Sequence, residues 1–385
     1  MNQMKKVFRF KSAFVLSLLM IMFAIMMVSN HGCGSSSAPH AVVFKFAVTD
    51  DSRAAGGAAA KNNGVATVVL GAIAKDIATQ GVDFVLFPGD MVTGDTQDTT
   101  ALSSMLDTWK TSMAPVYNAK IPVYTTRGNH EYNTIFPANG HGQQNPTDSG
   151  RATYLAHFPM PTNGPTSGAA GISEVGLTYS FTWKNAKIIG FDQYAGRTTT
   201  YNDTLYAPGS NKGQAMNSWV LDQINNSTSG VNFVMSHEQI WPTTSQPDCL
   251  ANDPDSRDAL VHALGTHNGT YLSGHNHMYV RGAMTNAGGD KVPAFTIGTA
   301  GGGNYDYAPF DVVKAGYTGP DKYNVQNVLS DSKNPTFGYM VITVYADNTW
   351  SAEFRGFQFN HWNNSTDVSL TPISVMDAFK SGDVN

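Results

Sequence analysis

Five apolar segments of this chain end abruptly in side chains that bind metals, and no other feature of the sequence restricts the fold as much. Val42–Val48 breaks into Thr49-Asp50-Asp51-Ser52-Arg53, and Val82–Phe87 into Pro88-Gly89-Asp90. Ile121–Thr126 breaks into Arg127-Gly128-Asn129-His130-Glu131. Val231–Met235 breaks into Ser236-His237-Glu238, and Thr270-Tyr271-Leu272 leads into Gly274-His275-Asn276-His277. Short apolar runs bounded by turn residues read as buried strands. Between the first two runs, Val65–Gln80 has helical spacing (Val68, Val69, Ala72, Ile73, Ile77) and stops at Gly81. That strand–helix–strand order predicts a right-handed parallel crossover. Open α/β sheets hold their ligands at the carboxyl ends of such strands. The spacing therefore predicts one site built from five strand ends.

The rest of the chain fits an α/β class. Helical patterns cover 101–113, 213–225 and 256–264. Leu177–Trp183 and Ala186–Phe191 alternate about a Lys184-Asn185 turn, which predicts a hairpin. Ala294–Thr299, Gly338–Val344 and Trp350–Phe357 read as strands. Residues 133–176 are rich in Gly, Pro, Asn and Ser and read as a long irregular insertion. The chain is expected to divide into a targeting segment (1–32), a linker (33–40), one catalytic domain (41–360) and a loose C-terminal tail (361–385).

The targeting expectation rests on an apolar run over 13–28 preceded by Lys5, Lys6, Arg9 and Lys11. Charge followed by an apolar stretch and small residues is the layout of a secretory signal. Cys33, followed by Gly34-Ser35-Ser36-Ser37, resembles the lipidated cysteine of a bacterial lipoprotein, although Asn30 stands where an apolar residue is usual. A plain cleaved signal and an uncleaved anchor stay open beside it. The expected location is therefore outside the cytoplasm, with any membrane attachment made only through the signal or a lipid. The formal charge is −5, and residues 1–32 hold four basic and no acidic side chains, so the remainder carries −5 − 4 = −9. That balance argues against nucleic acid as a partner. Two cysteines exclude a disulfide scaffold.

The strand ends supply Asp50 or Asp51, then Asp90, Asn129 with His130, His237, and His275 with His277. Carboxylate, amide oxygen and imidazole suit divalent ions such as Mn, Fe or Zn and exclude a thiolate-selected site. Taken singly, Asp90 is a turn residue, Asn129 a left-handed loop residue and His237 a buried histidine. Five such residues at successive strand ends, in this order, argue for a common purpose. Gly298-Thr299-Ala300-Gly301-Gly302-Gly303 lacks the Gly-Lys-Ser/Thr ending of a phosphate loop and reads as a tight turn near the cleft.

The order Asp, Gly-Asp, Gly-Asn-His-Glu, His, Gly-His-x-His resembles the calcineurin-like metallophosphoesterase superfamily. The spacing and the Tyr179-Ser180-Phe181 hairpin are most similar to its purple acid phosphatase-like branch. The resemblance covers about 42–357 and implies a four-layer α/β/β/α sandwich of two mixed sheets. It implies two divalent ions bridged by Asp90. Asn129, His237 and His275 would complete one position, and His277 with the first-motif Asp the other. It also implies that His130 sits over a small phosphorylated substrate as general acid or electrostatic stabiliser.

Two departures stand out. The first motif of the family is usually Asp-x-His, whereas Asp50-Asp51-Ser52-Arg53 puts Ser52 or Arg53 in the histidine place. The Asp51 register is preferred, because it aligns without a gap with relatives reading Ser-Asp-Ser-Arg. Arg53 cannot ligate a metal; contact with a substrate phosphate or with a surface carboxylate is left to it. The iron-bound tyrosine of the purple enzymes is Thr93 here, so a colourless protein is expected. The leading expectation is hydrolysis of phosphate monoesters by a hydroxide activated between two ions. Phosphodiesterase or nucleotidase activity is the alternative within the class. A non-catalytic surface protein that binds phosphate or metal is the alternative outside it.

Overall fold

A computed structural model describes residues 40–53, 62–94, 96–132, 148–167, 173–194, 211–244, 250, 254–303, 306–307, 322–360 and 369–384, with backbone only at 211–217 and 254. The targeting segment with Cys33, the linker up to residue 39, Cys249, His31, His141 and His361 lie outside these residues. Among the described residues no helix is long and apolar enough to cross a membrane. The unit Val42–Asn385 is a single compact body.

Thirteen strands are described: β1 Val42–Val48, β2 Phe84–Phe87, β3 Val123–Thr125, β4 Tyr179–Trp183, β5 Ala186–Gly190, β6 Val231–Met235, β7 Gly269–Ser273, β8 Tyr279–Thr285, β9 Lys291–Ile297, β10 Lys322–Leu329, β11 Phe337–Tyr345, β12 Trp350–Phe357 and β13 Ser374–Lys380. They form two mixed sheets, ordered β13-β12-β11-β1-β2-β3 and β10-β8-β9-β7-β6-β5-β4. β1, β2 and β3 are parallel neighbours in the first sheet, and β5, β6, β7 and β9 are parallel neighbours in the second. β2, β6 and β7 are buried along their whole length. Burial on both faces explains why their sequences run apolar without alternation.

The layers follow from which side chains meet. Between the sheets, Phe46 meets Phe233 edge-on with ring centres 4.9 Å apart, and Phe84 meets Phe181 at 5.7 Å. Tyr279 stacks on Phe354 at 4.1 Å. Phe87 has the opposite parity and packs outward on Trp109 at 5.0 Å, beneath the helix Thr99–Ser112. Asp98 caps that helix, accepting from the amides of Thr100 and Ala101. A second apolar cluster, with Val220, Ile224, Val234, Leu260, Val261 and Tyr271, lies between the other sheet and the helices Asn211–Asn225 and Pro254–Thr266. The result is helix, sheet, sheet, helix.

The structure differs from the sequence reading in three places. Part of the supposed loose tail is β13, paired antiparallel to β12. It buries only Phe379, which stacks on Phe295 at 5.3 Å, while Asp377 accepts from Tyr279 Oη and Arg281 Nε at 2.8 Å each. An edge strand with one buried side chain leaves almost no apolar signal. The 133–176 segment contains a helix, Gly150–His157, whose Tyr154 hydroxyl lies 2.7 Å from Thr125 Oγ1. Its His157 faces Asp107 and Ser103 of the neighbouring helix and does not lie over the strand ends. β8 and β10 extend the second sheet beyond β9.

Candidate metal centre

The five strand ends converge. Among the described residues, Asp90, His237 and His275 bring one ligand atom each within 4.8 Å of one another, and so do Asp51, Asp90 and His277. Asp51, Asp90 and His275 have φ of 61°, 44° and 65°. A side chain in this left-handed region costs ~1–3 kcal/mol, and such strain collects at functional sites. Here it turns each chain sharply off its strand so that the ligand atom points inward. The glycines serve the same geometry. A Cβ on Gly274 would overlap the carboxylates of Asp50 and Asp51, and one on Gly128 would overlap that of Asp90.

At the first position His237 Nε2 lies 3.1 Å from Asn129 Oδ1, 3.3 Å from Asp90 Oδ1 and 3.2 Å from His275 Nδ1. An ion with bonds of ~2.0–2.1 Å in tetrahedral geometry sets its ligand atoms ~3.3 Å apart. The donor set therefore fits a divalent ion. Behind the ring, Asp50 Oδ2 lies 3.2 Å from His237 Nδ1. Burial acts to lower the His237 pKa, but Asp90 and Asp50 outweigh it and hold it well above the usual histidine range. Burial also acts to raise Asp90, yet His130, His237 and Arg53 hold it well below the usual carboxylate range.

At the second position His277 Nδ1 donates to the carbonyl of Gly303 at 2.9 Å, so its Nε2 lone pair faces the cluster, 3.3 Å from Asp51 Oδ1. Burial and Arg53 lower the His277 pKa, which leaves the ring neutral. Both carboxylate oxygens of Asp51 are buried and accept no hydrogen bond. Such atoms call for a cation. Arg53 also reaches this position, with Nε donating to His277 Nε2 at 3.2 Å and lying 3.4 Å from Asp90 Oδ2. The first-motif alternatives thus separate. Asp51 joins Asp90 and His277, while Asp50 stands behind His237.

His130 is buried beside both positions. Its amide donates to Asp90 Oδ1 at 3.1 Å and its Nδ1 donates to the Thr93 carbonyl at 2.6 Å. Nε2 is then the nitrogen turned to the centre, 3.7 Å from Asp90 Oδ2. Glu131 accepts from the amides of Gly128 and Val92 and so ties two strand ends together; burial and Asp90 push its carboxyl up to about 7.

Several further residues support the site. Arg127 donates to Asp192 and Asp148 at 2.6 Å each. The Gly-rich loop after β9 donates from Ala300 to the Asp50 carbonyl and from Gly302 to the Asp51 carbonyl, both at 2.7 Å. Glu238 accepts from Tyr194 Oη, and Trp241 lies under the Arg257 guanidinium. Asp192, at the end of β5, repeats the pattern of an apolar run ending in a carboxylate and could have been found by it.

Two facing mixed sheets with Asp, Asn and His donors gathered at the carboxyl ends of parallel strands define an α/β/β/α domain with side chains that could hold a metal ion. The chain belongs to the calcineurin-like phosphoesterase family, whose sequence pattern matches residues 65–279, or 215 of 385 residues. That span holds Asp90, Asn129, His130, His237, His275 and His277; Asp51 and Arg53 precede it. In fold the chain is similar to a structure of PhoD, with a TM-score of 0.60 and 16% identity over 89% of this chain and 70% of that one. It is also similar to a dimetal phosphatase from Danio rerio, with a TM-score of 0.50 and 16% identity over 82% of this chain and 96% of that one. No curated protein sequence matches it.

Proposed function

We propose that the chain is an exported, metal-dependent hydrolase of phosphate monoesters. The observation that carries this reading is the convergence of Asp90, Asn129, His237 and His275 on one position, with the Nε2 of His130 turned to the same centre. A divalent ion at that position supplies Lewis-acid stabilisation of phosphoryl oxygens and lowers the pKa of water. The resemblance implies a second ion on the Asp51 side, where Asp51, Asp90 and His277 stand.

The protein's own groups account for the remaining requirements. Asp50, Asp51 and Asp90 are buried together, so a phosphate dianion approaches only where cations intervene. Arg53 is a permanent cation at the centre, and its side chain is 21% exposed. A guanidinium beside the metal can take up the additional negative oxygen that a monoester has and a diester lacks. The bond from His130 Nδ1 to Thr93 fixes the ring so that Nε2 can deliver a proton to the departing ester oxygen. The signal-like segment with Cys33 supports an exported location, either lipid-anchored or free.

The test is hydrolysis of an aryl phosphate monoester and an aryl phosphate diester by protein stripped with chelator and reloaded with Mn, Zn, Fe or Co. Metal-dependent turnover that favours the monoester is expected. A preference for the diester or for nucleotides moves the assignment within the family. Stoichiometric metal binding with no turnover on any substrate overturns it in favour of a binding protein.

A further inference from the structure

We propose that Arg53 is the resident cation of the Asp51–Asp90–His277 position, so that the centre retains one divalent ion, held by Asp90, Asn129, His237 and His275. The inference rests on reading the strand ends as a metal centre.

The argument starts from directions. His277 has its Nδ1 proton committed to Gly303, so the one electron pair it can offer a metal is on Nε2. The Nε–H of Arg53 is aimed at that pair at 3.2 Å. The same Nε lies 3.4 Å from Asp90 Oδ2, the oxygen of the bridging carboxylate that is not the one near His237 Nε2. These separations match those between neighbouring ligands around one small ion. Arg53 thus stands in a ligand place, but presents a hydrogen-bond donor and a fixed positive charge where a metal needs an electron pair. A guanidinium keeps its proton under all ordinary conditions. An ion entering beside it would lose the Nε2 pair, find no fourth protein ligand and meet like charge at close range.

The other position shows the contrast. There the neighbours of His237 Nε2 are an amide oxygen of Asn129, a carboxylate oxygen of Asp90 and an imidazole nitrogen of His275, each a type of atom that can ligate a metal. The two positions share Asp90, and on the Asp51 side Arg53 stands where the other has a further ligand. The donor set on the arginine side is otherwise kept, since Asp51 is buried with both oxygens unbonded. Replacing Arg53 by histidine would rebuild Asp51-Ser52-His at the first motif and complete it.

The experiment counts ions in the full protein. Chelator-stripped protein is loaded with excess Mn(II), passed through a desalting column and analysed for Mn per chain and by electron paramagnetic resonance. One equivalent with an uncoupled signal is expected for the wild type. Two equivalents with an exchange-coupled signal are expected for Arg53→His. Arg53→Met, which removes the charge without adding a ligand, is expected to stay at one after desalting but to bind a second ion at least tenfold more tightly than wild type in a titration. Circular dichroism checks that each variant is folded; if Arg53→His is not, the wild-type and Arg53→Met measurements decide. Two coupled ions in the wild type overturn the proposal, as does a folded Arg53→His protein that retains only one. A count of zero overturns the metal-centre reading as well. Turnover measured on the same samples separates that failure from this one, because a protein with two ions and full activity contradicts only the role of Arg53.

Discussion

Asp50 Oδ2 lies 3.2 Å from Nδ1 of His237, on the side of the ring opposite the Nε2 that faces Asn129 and Asp90. A carboxylate on the far nitrogen fixes the tautomer and increases the basicity of the ligating one. The sequence shows two adjacent aspartates; the structure gives them different tasks. Asp50→Asn removes the charge and keeps the size. Metal affinity is expected to fall about tenfold to hundredfold, the usual loss for an outer partner of a metal-binding histidine. Competition with a chromogenic chelator measures it, and an affinity within twofold of wild type would refute the assignment.

His130 is expected to matter most when the leaving group is poor. General acid catalysis contributes ~10²–10⁴-fold, but a nitrophenolate departs without needing a proton. His130→Ala should therefore lower kcat by about a hundredfold or more on an alkyl phosphate, and by clearly less on nitrophenyl phosphate. The metal content should be unchanged, because His130 supplies neither position. An equal loss on both substrates would make His130 an electrostatic group and not a proton donor.

Loading of the metal should release a proton. In the metal-free protein Asp90 and Asp50 outweigh burial and hold the His237 pKa well above the usual range, so the ring is an imidazolium at neutral pH. A ligand must be neutral, and Nδ1 keeps its proton for Asp50, so the proton lost is the one on Nε2. Apparent affinity should thus rise with pH from the ordinary histidine range up to the raised pKa and level off above it. Calorimetric titrations in buffers of different ionisation enthalpy read the proton directly. A pH-independent affinity across that window, with no buffer dependence, would show that His237 is already neutral.

Much of this centre was legible because strand ends are local. An apolar run that stops at Gly-Asp or Gly-Asn-His carries its own signal, and the order of five such ends carried the family resemblance that implied the fold. What the sequence did not carry depends on distant partners. Arg53 could have been a surface cation or a phosphate contact; only folding sets its Nε against His277, 224 residues away. Asp50 pairs with a histidine 187 residues on. Besides its backbone pairing with β12, strand β13 is anchored by the side chains of Phe379 and Asp377, which no periodicity marks. Asp192 carries the local signal of a carboxylate after an apolar run, but its bond to Arg127, 65 residues before it, is set only by folding.

Arg127 stands just before Gly128-Asn129-His130 and is fully buried. Its Nε donates to Asp192 and its Nη1 to Asp148, each at 2.6 Å, and its guanidinium lies 5.5 Å from the Tyr132 ring centre. The Asp192 side chain is as inaccessible as the arginine, whereas that of Asp148 is 14% exposed. Removing one member of a buried pair strands the other charge, at ~3–5 kcal/mol. Arg127→Met keeps the length of the side chain and removes the cation paired with the Asp192 carboxylate, which keeps the Tyr194 amide. It is expected to lower the stability of the metal-free protein by that amount, read as a shift in denaturant midpoint. Asp148→Asn, which leaves the Asp192 bond intact at a partly solvated site, should cost clearly less. Because Arg127 leads directly into the Asn129 loop, the folded fraction of Arg127→Met should also bind Mn more weakly than wild type. Equal stability losses from the two variants would place the weight of the network on Asp148 instead of Asp192.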